Sequence, residues 1–182
     1  MAHAAEHAIE ETTTGLNHRK MLMWIFLGSD CMFFAALVAT YMVYRGQSLT
    51  GPYPIDIIDV PITTISTFVL LCSSFAMVQA LSATNRDDQR GIRIWLLATA
   101  VLGAIFIGFQ IYEFNHFKNA GLTLGTNLFG ATFFTLTGFH GAHVTVGIIW
   151  LLGMLVVEMK GRLGPANSLD VELVGLYWHF VD

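Results

Sequence analysis

Four apolar runs, each longer than twenty residues and separated by short polar or Gly/Pro-rich segments, constrain this chain more than anything else in it. They extend from Met21 to Tyr44, from Pro61 to Ala83, from Ile94 to about Phe114, and from about Asn127 to Val157. A helix needs about 20 apolar residues to cross the hydrocarbon of a bilayer. With no water there, a helix satisfies each backbone N–H and C=O within its own segment. The expected fold is therefore all-α, a polytopic transmembrane helix bundle of four complete helices plus the start of a fifth. That fifth segment begins near Val171 and reaches Asp182, about half of the bilayer core at ~1.5 Å per residue, so a shortened chain is expected. Pro61 fits the first turn of its helix, where its missing N–H has no helical partner. The fourth run is longer than a bilayer requires and is expected to tilt or protrude.

The intervening segments agree with this division. "RGQSLTGPYPIDIIDV", "KNAGLTLGT" and "KGRLGPANSLD" are rich in Gly, Pro and Asn, and "TNRDDQRGIR" reads as a short charged turn. Only 12% of the residues are charged, about half the ~25% of a soluble domain. Residues 1–20 are a polar, acidic tail without the apolar centre of a cleavable signal, and residues 21–182 form one transmembrane domain. Of the nine lysines and arginines, Arg19, Lys20, Arg86, Arg90, Arg93, Lys160 and Arg162 fall on the N-terminal side, and Arg45 and Lys118 on the other. Basic residues in short loops favour the cytoplasmic side, so a cytoplasmic N-terminus is expected. Cys31 and Cys72 stand in separate runs with no C-x-x-C spacing and read as free thiols.

Polar residues at bilayer depth are the candidates for function. Asp30 lies about 14 Å into the first helix, where a carboxyl should face the bundle interior, be paired, or be protonated. It reads either as an interhelical hydrogen bond or as a proton- or lipid-linked group. Gln110 and Glu113 share a face of the third helix by their spacing, with Glu113 near the interface. His140 and His143 share a face of the fourth. Two histidines would supply half of a zinc or copper site, and His179 keeps a bis-histidine b-type haem open, but no further His pair, Cys cluster or C-x-x-C-H motif accompanies them. Gly138 and Ala142 bracket His140, and Ala100, Ala104 and Gly108 mark a small-residue face on the third helix. Such faces let helices approach closely while polar side chains bond across the contact. The histidines therefore read as polar pins in a tight helix contact, with no catalytic or metal-ligating residue expected on this chain.

Four segments in order carry a resemblance. "ATFFTLTGFHGAHVTVG", the terminal "YWHFVD", "QIYEF" and "DVPITTISTFVLLCSSFAMVQA" are similar to segments of subunit III of the haem-copper terminal oxidases, the cytochrome c oxidase subunit III family, over about residues 20 to 182. The resemblance places Asp30, in "GSDCMFF", at the family's carbodiimide-reactive intramembrane glutamate. It matches Glu113, His140, His143, Glu172, Trp178, His179 and Asp182 to polar family positions. The first two helices of the long, seven-helix members have no counterpart here, as in the short five-helix bacterial form, and relatives continue beyond "WHFVD".

The resemblance implies an accessory, cofactor-free subunit of a proton-pumping oxidase in a bacterial cytoplasmic membrane. Haems and copper would belong to subunits I and II. This chain would pack on subunit I, bind phospholipid, and support proton uptake and active-site stability. Other respiratory complexes and membrane lipids are further expected partners, and nucleic acid is not. A quinol oxidase or nitric-oxide-reductase-like complex is the alternative setting. A small membrane haem-b redox protein, using His140 or His143 with His179, is the alternative of another class.

Overall fold

A computed structural model describes residues 17–48 and 59–182. Most of the N-terminal tail, including His3 and His7, and most of the loop after the first helix lie outside the described residues. Five α-helices follow one another: α1 (His18–Tyr44), α2 (Val60–Asn85), α3 (Gln89–Asn119), α4 (Leu128–Met159) and α5 (Ser168–Val181), the last preceded by a 3-10 turn over Pro165–Asn167. No strand occurs among the described residues. The first four helices are long and apolar enough to cross a membrane.

Each long helix extends a few residues past its apolar run because a polar residue caps it. The side chains of Asn17, Asp59, Asp88 and Asn127 accept from the backbone N–H of Arg19, Ile62, Gly91 and Gly130. These bonds satisfy donors that the first helical turn leaves without partners. The helix ends are set in a matching way. Gly121 and Gly161 adopt left-handed φ values of 85° and 66°. Beyond them Leu122 N–H donates to Phe117 O and Arg162 N–H to Val157 O, closing α3 and α4 as Schellman turns. Asp87 takes the same role after α2 at φ 57°. The "TNRDDQRGIR" turn therefore shrinks to Arg86, Asp87 and Asp88, with α3 starting at Gln89.

The helices α2, α3 and α4 pack side by side, and α5 lies against α2 and α4. The principal core contains Met77, Ile92, Leu96, Val144, Leu151, Val171, Val174 and Trp178. A second cluster at the other end of the bundle joins Phe117, Leu122 and Phe129. α1 is the least embedded helix: of its 27 residues only Met23, Leu27 and Asp30 are buried. Those three stand at i, i+4 and i+7, one narrow seam along one helix face.

Of the small residues expected to pack closely, Ala100 is buried in the core at 4% exposure, and the others are not. Gly138 and Gly108 have open space where a side chain would begin, and Ala142 and Ala104 are exposed. The tightest contacts between helices belong to Gly103, Gly141 and Gly147. A Cβ on Gly103 would stand 2.5 Å from Trp178 Cη2, and one on Gly147 2.9 Å from the same ring. A Cβ on Gly141 would stand 2.5 Å from Gln110 Oε1. Small-x-x-x-small spacing occurs on exposed and buried sides alike, and only the helix rotation separates them.

Candidate functional site

The polar groups at bilayer depth divide into separate interhelical contacts. Asp30 on α1 is buried, at 8% exposure, and its Oδ1 lies 3.3 Å from His143 Nε2 on α4. The other ring nitrogen of His143 faces the carbonyl of Phe139 at 2.7 Å. A carbonyl only accepts, so Nδ1 carries a hydrogen and a neutral ring presents a lone pair at Nε2. A carboxylate facing that lone pair would set two acceptors against each other. The contact therefore needs one further proton, on the carboxyl or on Nε2, and the pair is electrically neutral either way. Both arrangements suit hydrocarbon, where an uncompensated charge is costly. Tyr177 on α5 donates its hydroxyl to His143 O at 3.0 Å, and Phe34 meets the imidazole edge-on. Asp30, His143 and Tyr177 thus join α1, α4 and α5 at one point.

His140, on the same face of α4, has different neighbours. It meets Phe106 edge-on with ring centroids 5.6 Å apart, and it lines a cavity of about 280 Å³ together with Gln110, Glu113 and Asp182. Gln110 donates from Nε2 to Thr137 O at 2.6 Å, made reachable by Gly141. Glu113 accepts from the Thr63 hydroxyl at 2.6 Å, tying α3 to α2. The cavity starts at Asp182 and is otherwise walled by the halves of α2, α3 and α4 remote from the basic end. Two signature residues of α5 take partners on α2. Trp178 is 1% exposed and donates from Nε1 to Ser73 Oγ at 3.0 Å. His179 Nδ1 lies 2.6 Å from Ser74 Oγ.

At the end bearing most of the lysines and arginines, ion pairs hold the helices together. Lys20 pairs with Glu172, and Arg19 with Asp170 at 2.5 Å, so both cations of α1 are clamped to α5. Arg93 Nε meets Glu158 Oε1 at 3.1 Å, and Glu158 is fully buried. Sequence reasoning singles out none of Glu158, Asp170 and Ser73, and uses Arg93 only as a signal of orientation. Arg93 and Glu158 fall near the ends of two antiparallel apolar runs at the same membrane side. That coincidence of opposite charges was the available signal.

The sequence-expected residues therefore do not converge on one centre. Asp30 meets His143. Gln110, Glu113, His140 and Asp182 share a cavity, while Glu172, Trp178 and His179 take separate partners. Among the described residues no group of three or more His, Cys, Asp or Glu side chains is placed to hold a metal ion.

The family profile described as cytochrome c oxidase subunit III matches residues 4–182. The chain belongs to the cytochrome c oxidase subunit III family. Members of this family are accessory subunits, and the chain is a multi-pass membrane component of an oxidase complex. Its curated relatives include quinol oxidase subunit 3 of Bacillus spizizenii, 41% identical over 159 residues that cover 87% of this chain and 78% of that protein. Cytochrome c oxidase subunit 3 of Bacillus sp. strain PS3 is 35% identical, covering 87% and 77%. Probable quinol oxidase subunit 3 of Staphylococcus saprophyticus is 35% identical, covering all of this chain and 90% of that protein. As a subunit III, the chain uses Gln110, Glu113 and Trp178 to tie its own helices together, which suits a part that shapes and steadies a larger complex.

Proposed function

We propose that this chain is the cofactor-free third subunit of a haem-copper oxidase in a bacterial cytoplasmic membrane, with residues 21–182 as its transmembrane domain. It packs on subunit I, beside subunit II, and supports proton uptake and active-site stability. The observation carrying this reading is the family match combined with the use of Asp30, Gln110, Glu113, His143 and Trp178 as interhelical bonds. An absorbance spectrum and elemental analysis of the isolated subunit test it. No Soret band and no stoichiometric iron, copper or zinc are expected, whereas a b-type haem would give a Soret band and establish the small redox protein instead. The complex isolated in mild detergent should contain this chain together with haem-bearing subunits.

Phospholipid binding has a location in this reading. A mainly apolar groove of about 600 Å³ runs between α1, α4 and α5, lined by Phe26, Val146, Trp150 and Tyr177 with Arg19 at its rim. Acyl chains fit such a wall, and a guanidinium at the rim suits a phosphate.

The N-terminus lies in the cytoplasm in this proposal, because seven of nine basic residues fall on that side. The 45–60 and 117–126 loops then face outward. Cysteines introduced at Leu124 and at Lys160 provide the measurement. Impermeant reagent applied to intact cells should label the first, and the second only after lysis. The reverse pattern would invert the topology.

A second setting, the quinol oxidase, is favoured by the 41% identity to a protein of that name. Oxygen uptake by the purified complex with quinol or with reduced cytochrome c decides between the two donors.

A further inference from the structure

One polar group poorly compatible with a lipid neighbour is His179. Its imidazole is exposed on the face formed by α2 and α5. It stands eleven residues after Ser168, the start of α5, and its partner Ser74 stands eleven before Asn85, the end of α2. At ~1.5 Å per residue both lie about 16 Å from the basic end, close to the middle of a hydrocarbon core about 30 Å thick. Ser74 Oγ occupies Nδ1 at 2.6 Å, while no hydrogen bond to Nε2 occurs among the described residues. The neighbouring surface of α2 is apolar, with Leu71 and Val78 at 58% and 51% exposure. These residues stand at i−3 and i+4 from Ser74, so they flank it on one helix face.

An acyl chain offers Nε2 nothing, and headgroups sit at the membrane surface. A ring nitrogen turned outward at this depth is unfavourable unless a polar group from another protein meets it. We infer that the α2–α5 face around His179 is the seat of a transmembrane helix from a partner subunit of the oxidase. That helix is apolar and places one neutral hydroxyl or carboxamide at mid-depth against His179 Nε2. Asp182 acts on both His179 and Ser74. A serine hydroxyl turned to that carboxyl accepts from Nδ1–H and leaves a lone pair at Nε2, so a donor hydroxyl or carboxamide suits it. A neutral group fits better than a charged one, because the pair is formed in hydrocarbon. This inference rests on the subunit reading above and adds to it the face that makes the contact.

Asparagine and glutamine separate the two ring nitrogens. In His179→Asn the amide takes the place of Nδ1, so the bond to Ser74 is kept and the outward one lost. In His179→Gln the amide reaches the place of Nε2. The oxidase complex, tagged on a haem-bearing subunit, is held in mild detergent and the loss of this chain is followed with time. His179→Asn and His179→Phe should dissociate about three- to tenfold faster than the parent, the worth of one interhelical hydrogen bond in a membrane. His179→Gln should remain near the parent rate. The unfolding midpoint of the isolated His179→Asn subunit should stay unchanged, showing the effect to be at the interface.

A photo-reactive residue at Leu71 or Val78 should crosslink to another oxidase subunit, and one at Ile149 on α4 should not. Parent-like dissociation of both the Asn and Phe variants would overturn the inference. So would crosslinks from positions 71 and 78 that reach only lipid or a second copy of this chain. If the parent chain is absent from the haem-bearing complex, the subunit reading itself fails. If it is present but crosslinks only from Ile149, the reading stands and the assigned face is wrong.

Discussion

Gly103→Val is expected to destabilise the bundle by about 1–3 kcal/mol, the usual cost of forcing extra carbon into a packed interior. Even its first added atom would stand 2.5 Å from Trp178 Cη2 and 3.2 Å from Ile148 Cγ1. The indole cannot retreat, because Gly147 presses its other side and Nε1 is bonded to Ser73. At Gly153 no atom lies within 4 Å of the position that a methyl group would take. Gly153→Ala should therefore stabilise its helix by roughly 0.5–1 kcal/mol, since glycine is the poorer helix former. Unfolding in mixed micelles with increasing dodecyl sulfate measures both. Trp178→Phe removes the crowded second ring and should recover part of the loss in a Gly103→Ala background. Equal midpoints for the two glycine variants would mean that Trp178 is not held as described.

The second large effect is expected at Asp30. The residue is one of only three buried positions on α1, so the helix depends on its contact with His143 more than a deeply packed helix would. Asp30→Leu leaves His143 Nε2 without its partner inside the bundle, at a cost of about 1–3 kcal/mol. Attachment of the chain to the rest of the oxidase complex should weaken with it. Asp30→Asn is expected to behave differently. Its amide N–H donates to the Nε2 lone pair, which is available because Nδ1 carries the hydrogen facing Phe139 O. Assembly and haem spectra should then remain intact. What asparagine lacks is an ionisable carboxyl, so active lifetime should shorten or proton uptake fall. Turnover lifetime and proton stoichiometry in reconstituted vesicles give the comparison. If both variants match the parent in assembly, lifetime and proton uptake, Asp30 is neither a pin nor a proton group. The double variant Asp30→Leu with His143→Leu should regain stability, because removing both polar partners is less costly than stranding one.

Much of the architecture was legible in the chain because it depends on one dimension. The length of an apolar run against the bilayer thickness gave the four spans, while the caps Asn17, Asp59, Asp88 and Asn127 lie outside what run length alone specifies. The fifth segment starts three residues earlier than its apolar pattern, at Ser168, because the 3-10 turn at Pro165–Asn167 leads straight into it. The depth of Asp30, and its need for a partner, also followed from counting residues along a helix.

Which partner it takes did not. Successive residues turn by about 100° around a helix, so a contact between helices depends on how each is rotated and on which helix lies beside it. His143 and His140 are three residues apart and share a face, yet one meets the carboxyl of Asp30 and the other a phenyl edge and a cavity. Gly103, Gly141 and Gly147 looked no different from Gly108 and Gly138 until the ring of Trp178 and the amide of Gln110 filled the space beside them. Apolar run length thus determined by itself which helices among the described residues are long and apolar enough to cross a membrane and how far along its helix each polar residue lies. The three-dimensional packing alone decided which of those residues meet, because hydrocarbon leaves a buried polar group no partner except whatever the neighbouring helix happens to present.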